Sequence, residues 1–225
     1  MTDEEILRHI DHTLLKATSS WAEIEKLCEE AVRFRTASVC VPPSYVRPIH
    51  SVFGKDPVIC TVIGFPLGYS VSAAKLEEAE IALIEGAQEL DMVINLGDVK
   101  NGAFDKVEDE IYALRKETGN KILKVIVETC YLTQEEKIRL CEIVTGAGAD
   151  YIKTSTGFGS SGAALEDVLL FKQHIGPDVK IKAAGGVKTR DDLEKFLAAG
   201  CDRIGTSSAV ALLTGGGATS GTKGY

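Results

Sequence analysis

The sequence predicts an α/β fold, a single-domain (β/α)8 TIM barrel, on three observations. Short apolar runs alternate with helical patterns from end to end, eight strand signals can be read, and no linker divides the 225 residues. Alternating strands and helices imply parallel strands joined by right-handed crossovers. Eight such units in a chain of this size favour a closed barrel over an open doubly wound sheet. A short N-terminal helix is expected before the barrel, which should occupy residues 1–213. A flexible Gly-rich C-terminal tail is expected over 214–225.

The elements follow in order. Residues 3–9 read as a short amphipathic helix and 10–15 as the first strand. Ser19 or Ser20 can cap a helix over 21–34, in which Ile24, Leu27, Cys28, Ala31 and Val32 recur at helical spacing. A β-rich run at 36–41 stops at Pro42-Pro43, and 45–52 is a weak helix that Pro48 should interrupt. A strand at 58–63 leads to a helix at 73–85 closed by Gly86. The beat continues with strands at 90–94, 121–128, 149–153, 179–184 and 202–205. Helices at 104–116, 134–145 (capped by Thr133), 165–174, 191–199 and 209–213 lie between and after them.

Composition excludes several classes. Hydrophobic residues at 44% and charged residues at 26% are ordinary for a globular protein. A net charge of −8 disfavours nucleic-acid binding and a basic membrane-surface role. The six cysteines form no Cys-x-x-Cys and do not cluster with the four histidines, so no metal site is expected. The start, Met-Thr-Asp-Glu-Glu, lacks the pattern of a signal peptide, and no apolar run could span a bilayer. The expected compartment is a reducing cytoplasm.

Two lysines stand out. Lys153 closes the run Ala-Asp-Tyr-Ile-Lys, and Lys182 sits in Val-Lys-Ile-Lys-Ala-Ala-Gly-Gly. A lysine in a buried strand is costly unless paired, neutral or chemically employed. Barrel active sites lie where strands end, which would put both lysines and Glu128 at the site. A neighbouring cation and desolvation each favour a neutral, nucleophilic amine. Asp91, an acid within Leu-Asp-Met-Val-Ile, is a candidate proton carrier. Together they fit carbonyl condensation through a Schiff base. The plainer reading pairs Lys182 with Asp91 and Lys124 with Glu128 as structural ion pairs.

Glycine loops follow strands seven and eight: Ala-Ala-Gly-Gly-Val, with Gly185 and Gly186, and Gly-Thr-Ser-Ser, with Gly205, Ser207 and Ser208. That is the usual phosphate position of such a barrel. The run Gly157-Phe-Gly-Ser-Ser-Gly162 matches a dinucleotide fingerprint. It comes late, however, and no strand-end acid follows about 20 residues on. His12 reads as a hydrogen-bonded structural residue, Trp21 as packing, and the acidic stretch beginning at Lys75 as a solvated helix face.

These motifs resemble those of the deoxyribose-phosphate aldolase family almost end to end. The pieces are Asp-His-Thr-Leu-Leu-Lys, Val-Cys-Val-Pro-Pro, Ile-Gly-Phe-Pro-Leu-Gly, Glu-Leu-Asp-Met-Val-Ile-Asn, Lys-Val-Ile-Val-Glu-Thr, Tyr-Ile-Lys-Thr-Ser-Thr-Gly-Phe, Lys-Ala-Ala-Gly-Gly-Val and Gly-Thr-Ser-Ser. The resemblance implies reversible cleavage of 2-deoxy-D-ribose 5-phosphate to acetaldehyde and D-glyceraldehyde 3-phosphate, with no metal or cofactor. It implies that Lys153 forms the Schiff base and that Asp91 and Lys182 move protons. Gly157, Gly185, Gly186, Gly205, Ser207 and Ser208 would hold substrate and its phosphate, with help from Lys188. Family tails ending in tyrosine can fold over the site, which would bring Tyr225 there. By analogy with the family the protein would be a homo-oligomer, a dimer. A Schiff-base aldolase for another sugar phosphate and a barrel that only binds a phosphorylated ligand are the alternatives.

Overall fold

The structure, a computed structural model, describes residues 1–215. Eight parallel strands close into one barrel in sequence order: β1 (Ile10–Thr13), β2 (Ser38–Val41), β3 (Ile59–Ile63), β4 (Glu89–Val93), β5 (Ile122–Ile126), β6 (Tyr151–Lys153), β7 (Lys180–Ala184) and β8 (Arg203–Thr206). Closure is made by β1 on β8, with Asp11 beside Gly205. Around them run α1 (Asp3–Leu7), α2 (Trp21–Phe34), α3 (Val46–Phe53), α4 (Ser72–Glu85), α5 (Leu96–Lys100), α6 (Phe104–Thr118), α7 (Gln134–Gly146), α8 (Leu165–His174), α9 (Arg190–Ala199) and α10 (Ala209–Thr214). The barrel and its helical ring are those the sequence predicts.

Alternation within each strand divides the molecule into two interiors. Leu90, Met92, Leu123, Val125, Ile152 and Ile181 face outward into the helical layer and are buried in the main apolar core. Their neighbours Glu89, Asp91, Lys124, Lys153 and Lys182 face the axis and are buried among one another. Helix starts are fixed by reciprocal caps, as at Thr133, whose hydroxyl accepts from Glu136 N while Glu136 accepts from Thr133 N. The glycine stop after α4 is Gly86, at φ 117°.

Several elements differ from expectation for identifiable reasons. Most strands are shorter, and the run at 121–128 ends at Ile126 because Glu128 turns into the left-handed region at φ 54°. Pro48 does not interrupt α3. It is the third residue of that helix, where an amide N–H would have no intrahelical partner. The short α5 was not foreseen; Asn95 starts it by accepting from Gly97 N. The helix around Lys75 is not wholly a solvated face. Lys75 is fully buried, donating to Glu110 and to the Val93 carbonyl, both at 2.8 Å. The expected tail begins at Thr214, which ends α10, and residues 216–225, Tyr225 included, lie outside the described residues.

Candidate active site

Asp91 occupies the centre of the barrel. Alternation turns it inward, and register places it opposite Lys124 on the next strand. One of its oxygens, Oδ2, accepts from both Lys153 Nζ and Lys182 Nζ, each at 2.7 Å. The other, Oδ1, accepts from Lys124 Nζ at 2.8 Å and from the Cys60 thiol at 3.2 Å. Lys153 and Lys182 are register partners on β6 and β7, so the sheet itself forces the two amines together.

A second tier lies beneath. Lys182 also pairs with Asp11 Oδ2 at 2.5 Å, and Lys124 with Glu89 Oε2 at 2.6 Å. Arg203 closes the base, bridging Asp11 at 2.5 Å and Glu89 at 3.0 Å. Ser38 donates to Asp11 Oδ1 at 2.8 Å. Lys153 is the member with a single carboxylate partner, which it shares, whereas Lys182 and Lys124 each hold at least two.

Burial and charge act in opposite directions here. Burial pushes the Asp91 carboxyl up, but Lys124, Lys153 and Lys182 outweigh it and hold the group well below the usual range. Asp11 is likewise held low, by Lys182, Lys124 and Arg203 against burial. Burial would drive Lys182 toward the neutral form, yet Asp11 and Asp91 raise it well above an ordinary lysine. Lys182 is therefore a held ammonium and Asp91 a held carboxylate. Glu128 differs: burial pushes its carboxyl up against two hydrogen bonds from Thr156.

The glycine loops sit at the same end of the barrel as the lysines. Gly185 and Gly186 follow β7 with φ of 81° and 78°, a left-handed pair that favours glycine at both positions. Gly185 lies against the loop after β6, where a Cβ would come within 3.0 Å of Gly162. Gly205 lets β8 pass Lys182, whose Cε would be 3.2 Å from an added Cβ. Ser208 heads α10, its hydroxyl 3.1 Å from Thr206 Oγ1, and Thr206 in turn donates to the Val187 carbonyl. Ser207 and Lys188 are exposed beside these loops.

The DeoC/LacD family of aldolases matches residues 6–222. This chain is a DeoC/LacD family aldolase. A deoxyribose-phosphate aldolase of Clostridium botulinum is 61% identical over 215 residues, which are 96% of this chain and 97% of that protein. The solved aldolase QR15 superposes with a TM-score of 0.90 at 40% identity, covering 94% of this chain and 95% of that one. The deoxyribose phosphate aldolase of Aeropyrum pernix, solved as a tetramer, gives 0.86 at 31%, covering 95% and 91%.

Within this aldolase the three residues expected to carry chemistry meet at one carboxylate. Sequence reasoning missed Asp11, Glu89 and Arg203, whose roles depend on which strand closes on which. It also paired Lys124 with Glu128. Lys124 instead serves the carboxylates of β4 and β1, and Glu128 serves Thr156. The fingerprint-like run 157–162 forms the loop between β6 and α8 of a closed barrel, with no open sheet edge for a dinucleotide. Cys40, Cys60 and Asp91, distant in sequence, bring donor atoms within 4.8 Å of one another. Three lysine amines already occupy both Asp91 oxygens, which makes this a poor cation site. His12 is buried and bonds Glu30 at 2.9 Å, and Trp21 stacks on Tyr45.

Proposed function

We propose that this aldolase reversibly cleaves 2-deoxy-D-ribose 5-phosphate to acetaldehyde and D-glyceraldehyde 3-phosphate through a Schiff base on Lys153. The observation that carries the reading is the sharing of Asp91 Oδ2 by Lys153 and Lys182 at strand ends. The four inward cations (Lys124, Lys153, Lys182 and Arg203) face three carboxylates (Asp11, Glu89 and Asp91). That cage balances when one amine is neutral, and Lys153 is the amine least tied to carboxylates.

The neutral amine adds to the aldehyde carbon of the open-chain sugar, and loss of water leaves an iminium. The bond between the second and third carbons then breaks. Its electron pair moves into the iminium to give an enamine, while the third-carbon hydroxyl loses its proton and departs as the aldehyde of glyceraldehyde phosphate. Protonation of the enamine at the second carbon and hydrolysis release acetaldehyde and restore Lys153. Lys182, held as an ammonium, donates, and Asp91, held as a carboxylate, accepts, with water completing the relay.

Gly157, Gly185, Gly186, Gly205, Ser207 and Ser208 supply amides and hydroxyls for the phosphate, and Lys188 adds charge from the rim. Tyr225, outside the described residues, is assigned a hydroxyl contact with the same substrate. The protein works without a metal or cofactor and functions as a homo-oligomer, with the dimer favoured by family analogy although the A. pernix relative is a tetramer. All six cysteines are free thiols, which suits a reducing cytoplasm. No described helix is long and apolar enough to cross a membrane. A panel of sugar phosphates read by release of aldehyde tests substrate identity. Turnover of another sugar phosphate in preference to deoxyribose 5-phosphate would refute the assignment.

A further inference from the structure

Glu128 is one of two non-glycine residues at positive φ among the described residues, and it is the buried one, 3% exposed. A left-handed backbone is costly for such a residue, and strain of this kind gathers where geometry is fixed for function. The turn after β5 aims its carboxylate at the loop that follows Lys153 on the neighbouring strand β6. There it accepts from Thr156 N at 3.1 Å and, through a short bond, from the Thr156 hydroxyl. The backbone is laced on either side: Val127 N donates to the Lys153 carbonyl at 3.0 Å and Thr129 N to the Thr154 carbonyl at 2.9 Å. Gly159 lies close as well, since a Cβ there would be 3.1 Å from the Glu128 carboxylate carbon.

The far end of the same loop lies on the glycine pair. Ala163 N donates to the carbonyls of Ala184 and Gly185, and a Cβ on Gly162 would come within 2.3 Å of the Gly185 carbonyl. Thr154 Oγ1 accepts from Ala184 N at 3.2 Å. One loop therefore connects the nucleophile's strand end to the turn assigned to the phosphate, and Glu128 pins its middle by hydrogen bonds while Phe65 packs edge-on against Phe158.

We propose that Glu128 is a positioning residue that, through Thr156, fixes the spacing between Lys153 and the Gly185–Gly186 turn and thereby sets the preference for phosphorylated over non-phosphorylated substrate. The inference rests on the aldolase reading above. Remote binding energy accelerates chemistry only when the anchoring site and the reacting centre are held in register. A clasp that loosens the loop should then penalise the substrate that uses both ends.

The test is kcat and KM for 2-deoxyribose 5-phosphate and for 2-deoxyribose, in wild type, Glu128→Gln, Thr156→Val and Thr156→Ser. Glu128→Gln and Thr156→Val should lower kcat/KM for the phosphorylated sugar roughly tenfold, mainly through KM, and change that for the free sugar less than about twofold. Thr156→Ser, which keeps the hydroxyl, should retain the wild-type ratio. An unchanged ratio, whether both substrates suffer equally or neither does, overturns the proposal. Failure of both Glu128→Gln and Thr156→Val to fold overturns it too, because the clasp would then be needed for the barrel rather than for selectivity. Borohydride trapping of the wild type separates the two levels. A Lys153 adduct with unchanged ratios in the variants defeats only this inference, and no adduct in the wild type defeats the aldolase reading beneath it.

Discussion

Lys153 and Lys182 are register partners on adjacent strands, and their amines meet at a single carboxylate oxygen, Asp91 Oδ2, 2.7 Å from each. With Lys124, these two lysines hold the carboxylate well below its usual range against burial. The two lysines nevertheless differ. Lys182 has Asp11 as a second counter-ion, whereas Lys153 has none among the described carboxylates. On this asymmetry rests the proposal that Lys153 is the nucleophile and Lys182 the proton donor.

Replacing Lys153 by leucine should remove turnover by roughly 10³-fold or more while leaving the barrel folded. Asp91 keeps Lys124 and Lys182 after the change, so no buried charge is stranded. Rate measurements and a urea melt on the same preparation check both halves.

Lys182→Ala should also abolish efficient turnover, because it removes the proposed proton donor and the 2.5 Å partner of Asp11 Oδ2. Single-turnover kinetics should show the Lys153 adduct forming but its enamine accumulating. Wild-type turnover in this variant would contradict the role given to the second lysine.

Asp91→Asn removes the carboxylate that three buried lysine amines share. Breaking buried pairs in this way costs about 3–5 kcal/mol, so the variant should unfold at markedly lower urea concentration as well as lose activity.

Stability should fall in acid, and the sign follows from Asp91 and Asp11. Both carboxyls are held below their unfolded values by cations that outweigh burial. Each therefore contributes stability that is present above about pH 4 and is lost as pH falls through the folded value. Lys182 and Lys124, which are raised, act in the opposite direction, contributing fully below about pH 10.4 and less as pH rises through their folded values. Urea midpoints measured from pH 2 to 7 should show an acid slope that is shallower in Asp11→Asn.

Lys75→Met tests the second buried pair, which lies behind the barrel wall. Lys75 ties Glu110 of α6 to the Val93 carbonyl at the end of the strand that carries Asp91. Loss of the lysine leaves Glu110 buried beside Ser72 alone, and the cost should be about 3–5 kcal/mol. Glu110→Gln in the same background should recover part of it.

The fold was legible because alternation and helix stops are local properties. A lone acid inside an otherwise apolar strand is visible in Leu-Asp-Met-Val-Ile, and in a barrel such a residue faces the axis. Lys153, Asp91 and Lys182 were singled out by such patterns, and the glycine loops by their place after the last two strands. What was not legible depends on closure and register. Asp11 sits in a short polar run, Ile-Asp-His-Thr, that says nothing about Lys182 until β1 closes on β8. Lys124 and Glu128 share a strand and were paired for that reason, yet the strand ends before Glu128 and turns its carboxylate away. Lys75 looks solvated among its acidic neighbours because Glu110, its partner, lies on another helix.

The most direct measurement of the central claim is reduction with borohydride in the presence of 2-deoxyribose 5-phosphate, followed by peptide mapping of the adduct. The geometry predicts a single reduced imine on Lys153. An adduct on Lys182, or a folded protein with none, would contradict it.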